Sequence, residues 1–121
     1  MAFVSHMCDA LLSMGAKAVV LKGVVHEGEP IIRNYVAYAN NADKPLEIAG
    51  ELLPYMLHGT GDLFASGVVA ALYTGRTLCE SVDFASRLVR DAMRVTPAQP
   101  DFETRGVSFE PVLGDVTALL A

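Results

Sequence analysis

Four consecutive residues, Gly59-Thr60-Gly61-Asp62, combine the groups that chemistry on a phosphate needs. The two glycines let the backbone turn sharply and leave no Cβ in the path of a ligand. An apolar run with helical spacing follows, so a helix beginning here would direct its first unpaired N–H groups and the positive end of its dipole into the turn. These features predict an anion site, with the Asp62 carboxylate at its rim, where it is suited to accept a proton.

The same four residues also fit a purely structural interpretation. A Gly-Thr-Gly-Asp sequence ahead of a helix is compatible with a tight turn in which Thr60 or Asp62 caps the helix. Short glycine-rich motifs are common, so both interpretations stay open for the motif alone. Lys22 is equally ambiguous: at the carboxyl end of a strand it would reach a phosphate as a point charge, or it would be a solvated surface lysine.

Composition sets limits on the class of protein. The chain has 121 residues, 52% of them hydrophobic, which is enough for one domain with a buried core. Nine basic and fourteen acidic residues give a net charge of −5, which argues against a general binder of nucleic acid or anionic membranes. The sequence has no apolar run of membrane-spanning length and no signal-peptide pattern at its start. Cys8 and Cys79 lack metal-ligand spacing and predict reduced thiols in a cytoplasmic protein, although a disulfide stays compatible with the sequence.

The stretch before Lys22 predicts a helix, a turn and a strand. Apolar residues recur at helical spacing from Phe3 to about Met14, and Gly15 ends this helix. Residues 16–21 contain the uninterrupted apolar, β-branched run Ala18-Val19-Val20-Leu21, which predicts a strand buried on both faces, as in a parallel sheet. Because the helix begins within a few residues of Met1, we expect the chain to start inside a larger α/β fold.

Further elements are predicted on both sides of the glycine motif. In chain order they are strands at residues 31–39 and 46–53 and helices at residues 63–73, 78–94 and 112–120. The two strands, joined by turn-forming residues at 40–45, predict an antiparallel hairpin at the edge of the sheet. Thr77 and Glu80 form a predicted capping box for the second of these helices.

The stretch His58-Gly59-Thr60-Gly61-Asp62-Leu63-Phe64-Ala65-Ser66, placed after a hairpin and before two helices, resembles the pyridoxal kinase branch of the ribokinase-like superfamily. Val19-Val20-Leu21-Lys22-Gly23 resembles the strand that precedes the hairpin in that family. The related hydroxymethylpyrimidine kinases often carry Cys where this chain has Asp62, which favours the pyridoxal kinase branch. The resemblance covers nearly the whole chain, although family members are over twice as long and their additional part is N-terminal.

The resemblance implies an α/β fold, with residues 1–121 as a single partial domain: the C-terminal, ATP-side part of a ribokinase-like fold. This part would contain a central sheet, flanking helices and an antiparallel edge hairpin. The implied reaction transfers the γ-phosphoryl group of ATP to the hydroxymethyl group of pyridoxal, pyridoxamine or pyridoxine, and it requires Mg²⁺. Asp62 would be the catalytic base, the amides of Gly59, Thr60 and Gly61 would form the anion hole, and Lys22 would contact an ATP phosphate. The resemblance assigns no metal ligand to this chain.

Two hypotheses on the function of this portion remain open. It is either the truncated, inactive portion of a kinase that retains the nucleotide half-site, or a non-catalytic oligomeric module that retains the kinase scaffold. A hydroxymethylpyrimidine kinase-like enzyme is the alternative for the substrate. Because a sheet cut in two exposes an apolar strand edge, we expect a homo-oligomer, with ATP and a pyridoxal-like molecule as ligands and with no nucleic-acid or membrane partner.

Overall fold

The computed structural model describes residues 2–40, 44–55, 57–101 and 105–119. Its main elements are α1 (Ala2–Ser13), β1 (Ala18–Val25), β2 (Ile31–Tyr38), β3 (Leu46–Glu51), α2 (Thr60–Tyr73), α3 (Leu78–Val95) and α4 (Leu113–Ala118). Short 3₁₀ segments lie at Thr96–Ala98 and Glu110–Val112. The chain divides into two compact units, residues 1–50 and 51–121. The predicted α/β class is confirmed, and none of the described helices is long and apolar enough to cross a membrane.

In the unit of residues 1–50, α1 packs on a three-stranded sheet. β1 runs antiparallel to β2, with Ala18 opposite Tyr38, and β3 lies on the other side of β2. The buried core beneath α1 consists of Val4, Cys8, Val19, Tyr35 and Ala37. Gly15 ends α1 as predicted, at a left-handed φ of 109°. The predicted hairpin of β2 and β3 is present, while its turn residues 41–43 lie outside the described residues.

β1 differs from its prediction in pairing and in burial. The sequence predicted a strand at residues 16–21 that is buried on both faces in a parallel sheet. Instead β1 pairs antiparallel with β2, and Val19 is the one buried residue among its eight. β1 is the outer strand in the order β1-β2-β3, so in the described part of the chain one of its two edges is unpaired. α1 packs on Val19 of β1, whereas the other residues of β1 are partly buried or exposed, so the strand is not buried on both faces.

The two cysteines are thiols that form no disulfide, as predicted. Cys8 lies on the buried face of α1 and is only 1% exposed. Burial, and after it the nearby Asp9 carboxylate, raises the pKa of the Cys8 thiol. Cys79 is partly exposed near the start of α3. The two thiols therefore differ in how readily a reagent in solution can reach them.

In the unit of residues 51–121, α2 lies against α3 in a contact that demands a small residue. A Cβ added to Gly67 would lie 3.2 Å from the Cβ of Ala85 and 3.2 Å from Cδ2 of Leu88. Ala71, one turn further along α2, is fully buried. Larger side chains at these positions would hold the two helix axes further apart.

The start of α3 carries the predicted capping box. The Glu80 N–H donates to the Thr77 hydroxyl at 3.2 Å, and the Glu80 carboxylate accepts from the Thr77 N–H at 2.9 Å. The backbone N–H of Thr77, and after it the Thr77 hydroxyl, lowers the pKa of Glu80. Both ends of this reciprocal cap satisfy N–H groups that would otherwise have no partner within the helix.

We expect Gly67→Leu to destabilise the protein, because the space between α2 and α3 does not admit a side chain. Overpacking of this kind lowers the free energy of unfolding by roughly 1–3 kcal/mol. Urea unfolding followed by circular dichroism measures this change. The matched control is Gly114→Leu in α4, where an added Cβ meets no described atom within 4 Å. The control should change stability by less than about 0.5 kcal/mol, and equal losses for the two variants would contradict the close packing.

Candidate functional site

The predicted anion site lies at the start of α2. The helix begins at Thr60, and its N-cap residue Gly59 has a left-handed φ of 88°. The first hydrogen bond of the helix runs from the Leu63 N–H to the Gly59 carbonyl at 3.0 Å. The amides of Thr60, Gly61 and Asp62 precede that bond and have no partner within the helix. These N–H groups, together with the positive end of the helix dipole, make a favourable place for an anion.

No side chain of the described residues caps this helix end. The Thr60 hydroxyl instead donates to the Leu57 carbonyl at 3.4 Å, and the Asp62 carboxylate makes no cap hydrogen bond. The structure therefore shows neither Thr60 nor Asp62 as a side-chain cap, and the binding of an anion by this turn stays a prediction. Gly59, Gly61 and Asp62 are all exposed, so a ligand can reach the turn from solvent.

The two glycines of the turn have different roles. Gly59 has a left-handed conformation that side chains with a Cβ rarely adopt. Gly61 lies in the first turn of the helix, and a Cβ built on it would meet no described atom within 4 Å. The backbone therefore explains the glycine at position 59. At position 61 neither the conformation nor the packing of the described residues requires glycine.

Asp62 is the one carboxylate in the first turn of α2, and it is exposed. Asp62 directly follows Thr60 and Gly61 in the chain. An alcohol brought to a phosphate on the amides of those two residues would therefore come close to the Asp62 carboxylate. Among the described residues, no three His, Cys, Asp or Glu side chains come together as a metal site.

Lys22 lies within β1, in the unit of residues 1–50, rather than at the end of a strand as predicted. The register against β2 shifts between Leu21 and Val24, which identifies a β-bulge and lets the strand continue. Gly23 takes a φ of 76° in this bulge, and its N–H donates to Oδ1 of the buried Asn34 at 2.9 Å. Bulges re-aim side chains and are common beside active sites. The contact of Lys22 with a phosphate stays a prediction.

Gly106 and Val107 lie against the glycine turn, a contact that the sequence did not predict. The Val107 N–H donates to the His58 carbonyl at 2.9 Å. A Cβ on Gly106 would lie 2.8 Å from that same oxygen, and one on Gly59 would lie 3.4 Å from Cγ1 of Val107. The sequence signal for this contact is the glycine at position 106, whose φ of 89° requires it.

Solved structures share the fold of this chain. A protein from Bacteroides thetaiotaomicron, assigned as a phosphomethylpyrimidine kinase, matches 96% of the chain with a TM-score of 0.84 and 21% identity. A second crystal form of it, with pyridoxal, matches 96% with a TM-score of 0.82 and 21% identity. Pyridoxal kinase from Lactobacillus plantarum matches 96% with a TM-score of 0.81 and 23% identity. The matches cover 39%, 41% and 41% of those chains, so this chain spans about two fifths of their length.

The sequence comparisons identify the family. Among curated proteins, no sequence matches this chain significantly. The sequence model of the phosphomethylpyrimidine kinase family matches residues 2–106, which include β1, the hairpin, the glycine turn and α2. The resemblance to ribokinase-like kinases that the glycine motif indicated is thus confirmed. The chain belongs to the phosphomethylpyrimidine kinase family.

Proposed function

We propose that this chain is the ATP-side portion of a kinase that phosphorylates the hydroxymethyl group of pyridoxal, pyridoxamine or pyridoxine. The observation that carries the proposal is the uncapped, exposed start of α2 in a chain of this kinase family. Two structural neighbours support the choice of substrate, since one is a pyridoxal kinase and one was crystallised with pyridoxal. The presence of Asp62 supports the same choice, because it matches the pyridoxal kinase branch.

In this proposal the amides of Gly59, Thr60 and Gly61 hold the oxygens of the γ-phosphoryl group. The hydroxymethyl oxygen forms a bond to phosphorus, the bond from phosphorus to the leaving oxygen of ADP breaks, and Asp62 takes the alcohol proton. Fixed N–H donors suit this step because they stabilise charge on the phosphoryl oxygens without having to reorient. Lys22 is proposed to contact an ATP phosphate as a point charge.

ATP is the proposed phosphate donor, accompanied by Mg²⁺, which would neutralise charge on the transferring phosphates. We assign no residue of this chain to the metal, which in such sites is held by substrate phosphates, water and only one or two carboxylates. We propose a cytoplasmic location, which the two cysteines without a disulfide support.

A second candidate substrate is a hydroxymethylpyrimidine, which shares its methylpyrimidine part with the phosphomethylpyrimidine in the name of the matching family. Its reacting group is again a hydroxymethyl, so the same base and the same amides would serve. Comparison of kcat/KM for pyridoxal and for hydroxymethylpyrimidine, in a full-length enzyme that contains this segment, separates the two substrates. A higher kcat/KM for the pyrimidine would refute the vitamer assignment.

In such a full-length enzyme, we expect Asp62→Asn to lower kcat by a factor of ~10² or more while ATP still binds, because an amide cannot accept the alcohol proton. A coupled assay measures kcat, and calorimetry measures the Kd for ATP. Asp83→Asn removes the same charge from an exposed ion pair with Arg87 and should leave kcat unchanged. If Asp62→Asn also left kcat unchanged, Asp62 would not be the base.

Gly61→Val should raise the Kd for ATP by about tenfold or more, because the new side chain occupies the path of the phosphate. The fold should tolerate this change, since the added Cβ meets no described atom within 4 Å. Calorimetry on the full-length enzyme measures the affinity, and thermal unfolding checks the fold. Gly114→Val, in similarly open space on α4, is the control and should bind ATP normally. Unchanged ATP affinity and rate in Gly61→Val would refute the anion hole.

We also propose that this chain by itself forms a homodimer or larger assembly through the outer edge of β1. That edge has no partner strand among the described residues, and Phe3 and Met14 of the same unit are 69% and 82% exposed. The Lys17 carbonyl accepts from the Ala39 N–H at 2.9 Å, so the alternation of an antiparallel ladder directs the N–H of Val20 to the outer edge. An unpaired apolar edge is stabilised by a second copy, most often through a two-fold axis.

Light scattering should therefore show a dimer or larger species for the chain, and a smaller one for Val20→Pro, which removes an outer N–H. Val20→Thr keeps that N–H and should assemble like the original chain.

A coupled assay should show no pyridoxal turnover by the chain alone, because the acceptor alcohol is not held in line with the γ-phosphate. A monomeric chain would refute the proposed homodimer or larger assembly. Robust turnover would refute the claim that the chain alone does not phosphorylate pyridoxal. Phosphorylation by the full-length enzyme would favour a kinase over a non-catalytic module.

A further inference from the structure

Residues 106–108, called here the bracing segment, are held in place by the end of α3. The carbonyl of Gly106 accepts from Nε2 of Gln99 at 3.2 Å, and the N–H of Ser108 donates to Oγ1 of Thr96 at 2.9 Å. Thr96 is fully buried, and its hydroxyl donates to the Ala92 carbonyl of α3 at 2.6 Å. One buried hydroxyl therefore joins the last turn of α3 to the bracing segment, with both its donor and its acceptor capacity in use.

The middle residue of the bracing segment contacts the glycine turn. The Val107 N–H donates to the His58 carbonyl at 2.9 Å. That carbonyl belongs to the same planar peptide unit as the N–H of Gly59, and in a trans peptide the two groups point in opposite directions. The hydrogen bond from Val107 therefore fixes the direction of the Gly59 N–H. Gly106 tightens this arrangement, because even a methyl group there would lie 2.8 Å from the His58 oxygen.

We propose that the bracing segment is a positioning element for the anion site: it orients the Gly59 amide and the first amides of α2 toward a phosphate. The turn needs such support from outside, because among the described residues no side chain caps the start of α2. The inference rests on the proposed function, since it assumes that these amides bind phosphate. It adds Thr96, Val107 and Gly106, which touch no substrate, to the residues on which that binding depends.

Two substitutions test the segment from opposite ends. Thr96→Val keeps the shape of the side chain but removes the acceptor for the Ser108 N–H, whereas Thr96→Ser keeps the hydroxyl and should rescue. In Gly106→Ala the added methyl group would lie 2.8 Å from the His58 oxygen and would displace it. Gly75→Ala is its matched control in the same unit, because Gly75 has a similarly left-handed φ of 92° but no described atom within 4 Å of an added Cβ.

The experiment titrates the ¹⁵N-labelled 121-residue chain with ATP and follows the amide resonances of Gly59, Thr60 and Gly61. We expect Thr96→Val and Gly106→Ala to raise the Kd for ATP by about tenfold or more, since small misplacements of binding groups have effects of this size. Thr96→Ser and Gly75→Ala should bind as the original chain does. Thermal unfolding of each variant separates lost stability, which Gly75→Ala shares with Gly106→Ala, from lost orientation of the amides.

Each outcome decides between the two proposals. If the original chain shows no ATP-dependent shifts at these amides, the proposal that this chain by itself retains the nucleotide half-site is refuted, and the bracing role in it as well. If it binds ATP and Thr96→Val binds equally well, only the bracing role is refuted. A loss of affinity in Gly75→Ala as large as that in Gly106→Ala would also refute the bracing role. Should Thr96→Val fail to fold, the comparison of Gly106→Ala with Gly75→Ala decides alone.

Discussion

The close contact of α2 with α3 at Gly67 is the constraint on which the unit of residues 51–121 depends. Because α2 is fixed there, the position of its first turn depends on the contacts made at the C-terminal end of α3. Before α2, the Tyr55 hydroxyl donates to the Met93 carbonyl at 2.6 Å. After α3, Thr96 carries the hydrogen bond that fixes the returning chain. The same end of one helix thus anchors the chain that enters the glycine turn and the chain that supports it.

Much of the fold could be predicted from the sequence because its signals are local. The end of α1 follows from Gly15, and the start of α3 follows from Thr77 and Glu80, which are three residues apart and satisfy each other. The position of the candidate site was predictable for the same reason: a glycine turn followed at once by a helical pattern places unpaired amides next to Asp62. The structure contributes the finding that no side chain of the described residues caps those amides.

The features that were not predicted depend on partners distant in the chain. An apolar, β-branched run fits a buried parallel strand and a half-covered antiparallel edge strand equally well, so β1 was predicted with the wrong neighbours. Its continuation past Lys22 depends on the side chain of Asn34, eleven positions after Gly23. The support of His58 by Val107 has Gly106 as its one local sign, because a single hydrogen bond between irregular segments leaves no periodicity in either one.

The rate at which the buried Cys8 thiol is alkylated reports on opening of the structure around it. The thiolate is the reactive form of cysteine, and burial beneath α1 both raises the pKa of Cys8 and keeps electrophiles away from it. Cys8 can therefore be alkylated only in molecules in which α1 has separated from the sheet. The partly exposed Cys79 in the other unit reacts without that separation. The difference in rate between the two reactions therefore measures how often α1 separates from the sheet, by local opening or by unfolding of the chain.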